Sequence, residues 1–167
     1  MIFDNALGMF LKGMDRESPD FVPIRTGGIV LNIGAGHKLL DNTVSLDLPE
    51  WNAEFDPIPL TDGSVEHIIA FHIIEHIQNV VGLLRECQRV LRVDGTLNIV
   101  VPYGASDIAL QELDHKHFFT EETWKTLFHN PYFDKDKNDW HWRIGYNLIM
   151  GLNHRNLALV TQLIREP

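Results

Sequence analysis

Two groups of residues in this chain have types and spacing suited to chemistry. The first is Gly34-Ala35-Gly36, directly after the apolar run Ile29–Ile33. Glycines at the end of a buried strand let the backbone approach a ligand that any side chain would hold off. Asp47, at the end of the next apolar run, could accept hydrogen bonds from both hydroxyls of a ribose. A glycine turn with a strand-end carboxylate suits an adenosine-bearing cofactor, and equally a tight turn needing glycine on steric grounds alone. The second group is His72, Glu75 and His76, whose spacing would put them on one helix face. Without a ligand, Glu75 and His76 would brace loops by hydrogen bonding. His115 and His117 are candidate general bases, since imidazole as a group titrates near neutrality.

These residues need elements to place them. Ile29–Ile33, apolar but for Asn32, reads as a strand buried on both faces of a parallel sheet. Further strands are expected over Thr43–Leu48, Glu66–Phe71 and Thr96–Val101. A long helix is expected from Ile73 to Arg92, with Ile73, Ile77, Val80, Val81, Leu84 and Leu91 recurring every three or four residues. Asp94-Gly95 would stop it, the glycine taking the left-handed conformation. A second helix spans Glu121–His129, with Thr120 as N-cap. The runs Trp140–Ile149 and Asn156–Ile164, joined through Gly151-Leu152-Asn153, form an antiparallel hairpin in which Trp140, Trp142 and Tyr146 serve packing. Residues 3–13 carry Phe3, Leu7, Phe10 and Leu11 at helical spacing, so residues 1–28 read as an N-terminal helix and lead-in to one domain over 1–167.

The order implies an α/β fold with a Rossmann-like, mostly parallel sheet and an antiparallel C-terminal edge. Its first half is abbreviated: no helix-length segment separates Ile33 from Thr43, whereas a parallel crossover commonly takes a dozen residues or more. Lys38 also interrupts any G-x-G-x-x-G fingerprint, which counts against a nicotinamide enzyme. Tyr103 follows Val101-Pro102 at a strand end, where such a fold places ligands, and is expected to line an acceptor pocket.

Composition narrows the partners. With 44% hydrophobic and 22% charged residues the chain is ordinarily globular. A formal charge of −9 disfavours a nucleic-acid backbone, and Arg85, Arg89 and Arg92 read as a solvated helix face. The apolar runs are strand-sized, and Met1-Ile2-Phe3-Asp4-Asn5 lacks a basic leader flank. One cysteine, Cys87, lies in a helical pattern and reads as a packing residue in a reducing, cytoplasmic setting without a membrane.

Four stretches then carry a resemblance. Val30-Leu31-Asn32-Ile33-Gly34-Ala35-Gly36 resembles motif I of class I S-adenosylmethionine-dependent methyltransferases, with Asn32 for the commoner acid. Pro57-Ile58-Pro59-Leu60-Thr61-Asp62-Gly63-Ser64-Val65 and Ala70-Phe71-His72-Ile73-Ile74-Glu75-His76-Ile77 are similar to successive motifs of the type 11 methyltransferase-like family. Arg89-Val90-Leu91-Arg92-Val93-Asp94-Gly95 resembles its helix end, with Val93 where proline is usual. The resemblance covers residues 28–125 and implies S-adenosylmethionine lying across the strand ends. By position it implies that Asn32, Gly34, Ala35 and Gly36 pack under the cofactor and that Asp47 and Leu48 hold the ribose side. It further implies Asp56 at the adenine amine and Phe71 and His72 at the sulfonium. The acceptor would be a small molecule, methylated at oxygen or nitrogen. No Asn-Pro-Pro-Tyr clamp follows the fourth strand, which agrees with the acidic charge in disfavouring DNA.

Two other resemblances concern the histidines. His72-Ile73-Ile74-Glu75-His76 matches the H-x-x-E-H signature of inverted zinc proteases, giving a zinc hydrolase as a distant alternative. It is also similar to the Glu-x-x-Glu-His stretch of metal-dependent O-methyltransferases, with Asp114-His115-Lys116 similar to their downstream ligand segment. That similarity implies a divalent ion on His72, Glu75, His76 and His115, activating an acceptor hydroxyl. A methyltransferase-like module that binds without turnover is the remaining alternative. Acceptor and oligomeric state stay open.

Overall fold

The computed structural model describes residues 27–36, 40, 42–129, 140–153 and 155–167. The N-terminal helix expected over 3–13 lies outside these residues. Among the described residues six strands form one sheet: β1 (Ile29–Ile33), β2 (Val44–Leu46), β3 (Val65–Phe71), β4 (Leu91–Pro102), β5 (Trp142–Asn153) and β6 (Asn156–Arg165). Their order is β2-β1-β3-β4-β6-β5. The first four pair in parallel, and β6 pairs antiparallel with β4 and β5. This is the expected α/β architecture, including the terminal hairpin.

Continuous apolar runs explain the central strands, which present buried side chains to both faces. On one face Leu31, Ile33, Ile68, Ala70, Leu97, Ile99, Leu159 and Leu163 form the main core. Against them packs α1 (Val80–Val90) through Leu83, Leu84, Cys87 and Val90. Each leucine so buried contributes about 2–3 kcal/mol by area removed from water. Helix α3 (Glu121–His129) adds the fully buried Trp124, stacked on Phe119 at 5.2 Å. The second face is thinner, with Val30 and Ile69 in one cluster and Val100, Ala158 and Val160 in another. Between them runs a polar row: Asn98, 1% exposed, donates to Thr96 Oγ1 at 3.0 Å and accepts from Gln162 Nε2 at 3.0 Å.

Several expectations need correction. The long helix over Ile73–Arg92 is two pieces: a 3₁₀ turn at Ile74–His76, then α1. Ile77 is extended (φ −89°, ψ 124°), and Asn79 caps the new start by accepting from Gly82 N–H at 2.9 Å. Leu91 and Arg92 belong to β4, and Val81 is exposed. The left-handed residue after the helix is Asp94 (φ 62°), not Gly95. Gly95 is needed for space instead, since a Cβ there would lie 2.8 Å from the Arg92 carbonyl oxygen and 3.0 Å from that of Glu66.

Of the three arginines, Arg85 and Arg92 are exposed as expected and Arg89 is half-buried, but each is engaged. Arg89 is held by Glu86, Asp62 and two backbone carbonyls, Arg92 pairs with Glu66, and Arg85 sits 5.7 Å from the Trp140 ring centroid. A short helix α2 (Asp107–Gln111) went unforeseen, having too few residues to show a period. Cys87 is buried, and burial pushes its thiol up to about 12, as suits packing and not nucleophilic chemistry.

Candidate functional site

The site is built where β1, β2 and β3 end. Gly34 follows β1 with φ 67°, and a Cβ there would meet the Ile73 side chain at 2.5 Å. Glycine thus lets the loop after β3 close against the loop after β1. The Gly34 N–H donates to the Leu46 carbonyl at 2.9 Å, which ties the turn after β1 to the end of β2. Asp47 follows at once from β2. One carboxylate oxygen accepts the Gly36 N–H and the other the Leu48 N–H at 2.8 Å. The acid therefore ties its own strand end to the glycine turn, and each oxygen keeps a lone pair for a ligand hydroxyl.

Two clefts open on either side of Asp47. One, of about 870 Å³, is lined by Ala35, Gly36, Asp47, Leu48, Trp51, Asp56, Pro57 and Pro59. The other, of about 550 Å³, is lined by Gly34, Asp47, Leu48, Trp51, Phe55, His72, Ile73, His76 and Lys116. Shared walls at Asp47, Leu48 and Trp51 make them lobes of one groove across the carboxyl ends of the strands, where open α/β sheets bind ligands. A Cβ on Gly36 would meet nothing within 4 Å, so the absent side chain leaves open space in the first lobe. Trp51, 4% exposed, forms the floor of both lobes and donates from Nε1 to the Pro57 carbonyl at 3.1 Å.

The structure gathers Gly34, Ala35, Gly36, Asp47, Leu48, Asp56 and His72 on this groove and leaves other candidates off it. Asn32 is buried within β1. Phe71 is half-buried and packs toward Val30 and Ile69 on the thin face. Tyr103 donates its N–H to the Leu157 carbonyl at 2.8 Å, and its hydroxyl, bonded to Glu121, is held above the usual phenol range. His117 faces a separate apolar pocket of about 490 Å³ with Val81, Phe118 and Leu127. Its Nε2 lies 3.2 Å from the Gln78 carbonyl and so carries the proton, which leaves Nδ1 with the lone pair.

The histidine cluster differs from the single helix face expected. His72 has a left-handed backbone (φ 54°) before the 3₁₀ turn, and its Nδ1 lies 3.2 Å from Glu75 Oε1. That removes the helical H-x-x-E-H geometry a zinc hydrolase would need. Glu75, His76 and His115 do come together, their side-chain donor atoms lying within 4.8 Å of one another. The backbone braces them: the N–H groups of Lys116 and His117 both donate to the Glu75 carbonyl, at 2.8 and 3.3 Å.

Trp51 was passed over by the sequence reading, and Lys116 and Arg89 were named there without a role at the groove. Arg89 donates to the carbonyls of Ile58 (2.9 Å) and Leu60 (3.0 Å) and to Asp62 and Glu86. It thereby fixes the passage bearing Pro57 and Pro59, one wall of the first lobe. A tryptophan within a polar, proline-rich passage was the available signal for Trp51. Apart from Glu86, three positions before it, the partners of Arg89 lie some thirty positions away and left no local signal.

A glycine turn after β1, a strand-end acid after β2 and this strand order define the class I S-adenosylmethionine-dependent methyltransferase fold. Residues 35–99 match a family profile described as a methyltransferase domain. Over 50 residues it is 40% identical to a probable S-adenosylmethionine-dependent methyltransferase found in two strains of Mycobacterium tuberculosis. That alignment spans 30% of this chain and only 18% of the relative. An S-adenosylmethionine-dependent methyltransferase from Mesorhizobium loti shares the fold with TM-score 0.65 at 11% identity, over 96% of this chain and 98% of that one. The [4+2]-cyclase SpnF shares it with TM-score 0.60 at 9% identity, over 86% and 77%. Among the described residues no helix is long and apolar enough to cross a membrane.

Proposed function

We propose that this chain is an enzyme that binds S-adenosylmethionine in the two-lobed groove and transfers its methyl group to an oxygen or nitrogen of a small-molecule acceptor. The observation that carries the reading is Asp47, whose carboxylate joins the glycine turn to the end of β2 at the boundary between the lobes. The residues fit the cofactor: Gly36 leaves room, Asp47 can accept from two ribose hydroxyls, and Asp56 stands at the far side of the same lobe. Asp56 Oδ2 accepts the Asn52 N–H at 2.8 Å, leaving Oδ1 for an exocyclic amine. Bound there, the cofactor supplies an electrophilic methyl on a sulfonium.

What the chain does is hold, orient and exclude water, which can supply most of the acceleration in such a transfer. The second lobe, with His72, His76 and Lys116, receives the acceptor. His117, expected as a general base, faces the separate apolar pocket and has no part in this reading. His115 lies deeper, its side chain 3% exposed, and Tyr103 has no part in this reading. The net charge of −9 suits a small acceptor better than a nucleic acid, and buried, reduced Cys87 suits a cytoplasmic setting.

A non-catalytic binding module is the second reading, favoured by the abbreviated first crossover; the cyclase with this fold shows that the fold does not dictate the reaction. Calorimetric titration with S-adenosylmethionine and S-adenosylhomocysteine tests the proposal. Micromolar binding that weakens at least tenfold in Asp47→Ala, with an unchanged circular-dichroism spectrum, is the expected result. Equal affinity in the variant would remove Asp47 from the site. Tight binding without methyl transfer to a broad acceptor panel would favour the binding module.

A further inference from the structure

We infer that the second lobe takes an acceptor built of an apolar ring and a single carboxylate, with Lys116 holding the carboxylate and Phe55 and Leu48 covering the ring. The inference deepens the methyltransferase reading and rests on it. Its first support is Lys116, which lines the lobe and is exposed. Among the described residues, Lys125 pairs with Glu122, and every arginine is engaged by a carboxylate, a carbonyl or an aromatic ring. Lys116 is the one cation of that set whose side chain has no partner. In a chain where 23 acids face 14 lysines and arginines, a nearby acid is the ordinary fate of a surface cation. The segment that carries it is fixed: the Lys116 N–H donates to the carbonyl of buried Glu75 at 2.8 Å. A cation left unpaired on a braced wall of a ligand groove awaits an anion.

The second support is the apolar rim of the same lobe. Phe55 is 82% exposed and Leu48 65%. Phe55 stands on a closed loop. The Asn52 carbonyl accepts the N–H groups of Phe55 and Asp56 at 3.1 and 2.8 Å, and Asn52 Oδ1 accepts that of Glu54 at 2.9 Å. Asp56 Oδ2 closes the loop by accepting the Asn52 N–H at 2.8 Å. Built this way, the loop leaves the ring in water, and an apolar ligand body would remove that surface from it. The lobe, about 550 Å³, has room for such a body.

The acids of the lobe set the charge of the ligand. Asp47 and Glu54 also line it, and both accept backbone N–H groups, which offsets their charge in part. One ammonium beside two carboxylates can hold a single negative charge but not a second, which like-charge repulsion opposes. A carboxylate carries one; a phosphate monoester carries about two near neutral pH.

Calorimetry on the full chain, saturated with S-adenosylhomocysteine, tests this with 4-hydroxybenzoate, its methyl ester, tyramine and phenyl phosphate. The acid should bind about tenfold tighter than the ester or the phosphate, and tyramine least. Lys116→Gln should remove the advantage of acid over ester and leave the ester's affinity unchanged. Phe55→Ser should weaken acid and ester alike, by about fivefold. In the unsubstituted protein, raising NaCl from about 0.05 M to about 0.5 M should weaken the acid and not the ester, a readout that needs no variant. Ester, amine or phosphate binding as tightly as the acid would overturn the inference. So would an acid preference that survives in Lys116→Gln, or no binding of any probe. If S-adenosylhomocysteine binds and the acid shows no preference, this inference fails while the methyltransferase reading stands. If S-adenosylhomocysteine does not bind, that reading falls and this acceptor with it.

Discussion

At the scale of single residues, His67 shows how a buried ring couples stability to pH. It lies on β3 with a side chain 12% exposed and Nδ1 2.8 Å from Thr96 Oγ1. Burial pushes its pKa down from 6.5 to about 4; Glu66 opposes this in part, and Arg92 adds to it. The folded pKa lies below the unfolded one, so the unfolded chain takes up the proton first. Stability is therefore full above pH 6.5 and is lost as pH falls toward 4, by up to about 3 kcal/mol from this group. Urea midpoints at pH 7.5 and pH 4.5 should converge in His67→Gln relative to the parent. An equal acid loss in both proteins would assign it to other groups.

At the scale of elements, α1 does more than cover the sheet. Its Glu86 and Arg89 reach sideways to the loop bearing Pro57 and Pro59: Glu86 accepts the Ile58 N–H at 2.9 Å, and Arg89 binds the Ile58 and Leu60 carbonyls. The Arg89 bond also holds the Glu86 carboxyl below its ordinary range. A guanidinium can serve all these acceptors at once because its donors form a fixed planar fork, which an ammonium cannot copy. Arg89→Ala is expected to lower Tm by about 5–10 °C, the loss of a few charge-assisted bonds. Arg89→Lys should recover little of this. Both should weaken S-adenosylhomocysteine binding beyond the change in stability, since the lobe wall loses its anchor. Intact binding in a destabilised Arg89→Ala protein would confine Arg89 to a structural role.

At the scale of the whole molecule, the sheet order decides which parts open first. β1, β3, β4 and β6 each have a neighbour on both sides, whereas β2 and β5 are edges. Edge strands leave one row of backbone groups without ladder partners and open at lower free energy. Native-state hydrogen exchange should therefore be slowest at Leu31, Ile68, Ile99 and Leu159, and at least tenfold faster along β2. Protection of β2 equal to that of β3 would show the edge is covered in solution. Added S-adenosylhomocysteine should slow exchange at Gly36 and Leu48, whose N–H groups Asp47 already holds.

The strands and α3 were legible in the sequence because each is a local pattern: an apolar run for Ile29–Ile33, an amphipathic run for Glu121–His129. The glycine turn and Asp47 were legible for the same reason, since turn glycines and strand-end acids declare themselves within a few positions. What followed β3 was misread. Apolar residues at helical spacing continue from Ile73 into α1, yet the Ile73 contact at Gly34 and the Asn79 cap interrupt the helix, and both depend on tertiary position or a competing local bond. The sequence alone therefore determined the class of fold and the glycine turn and strand-end acid of the groove, while Asn32 and Phe71, expected beside them, lie off it. Only the tertiary structure decided that His72 stands apart while Glu75, His76 and His115 converge, because His115 comes from a segment some forty positions downstream, held by the Glu75 carbonyl.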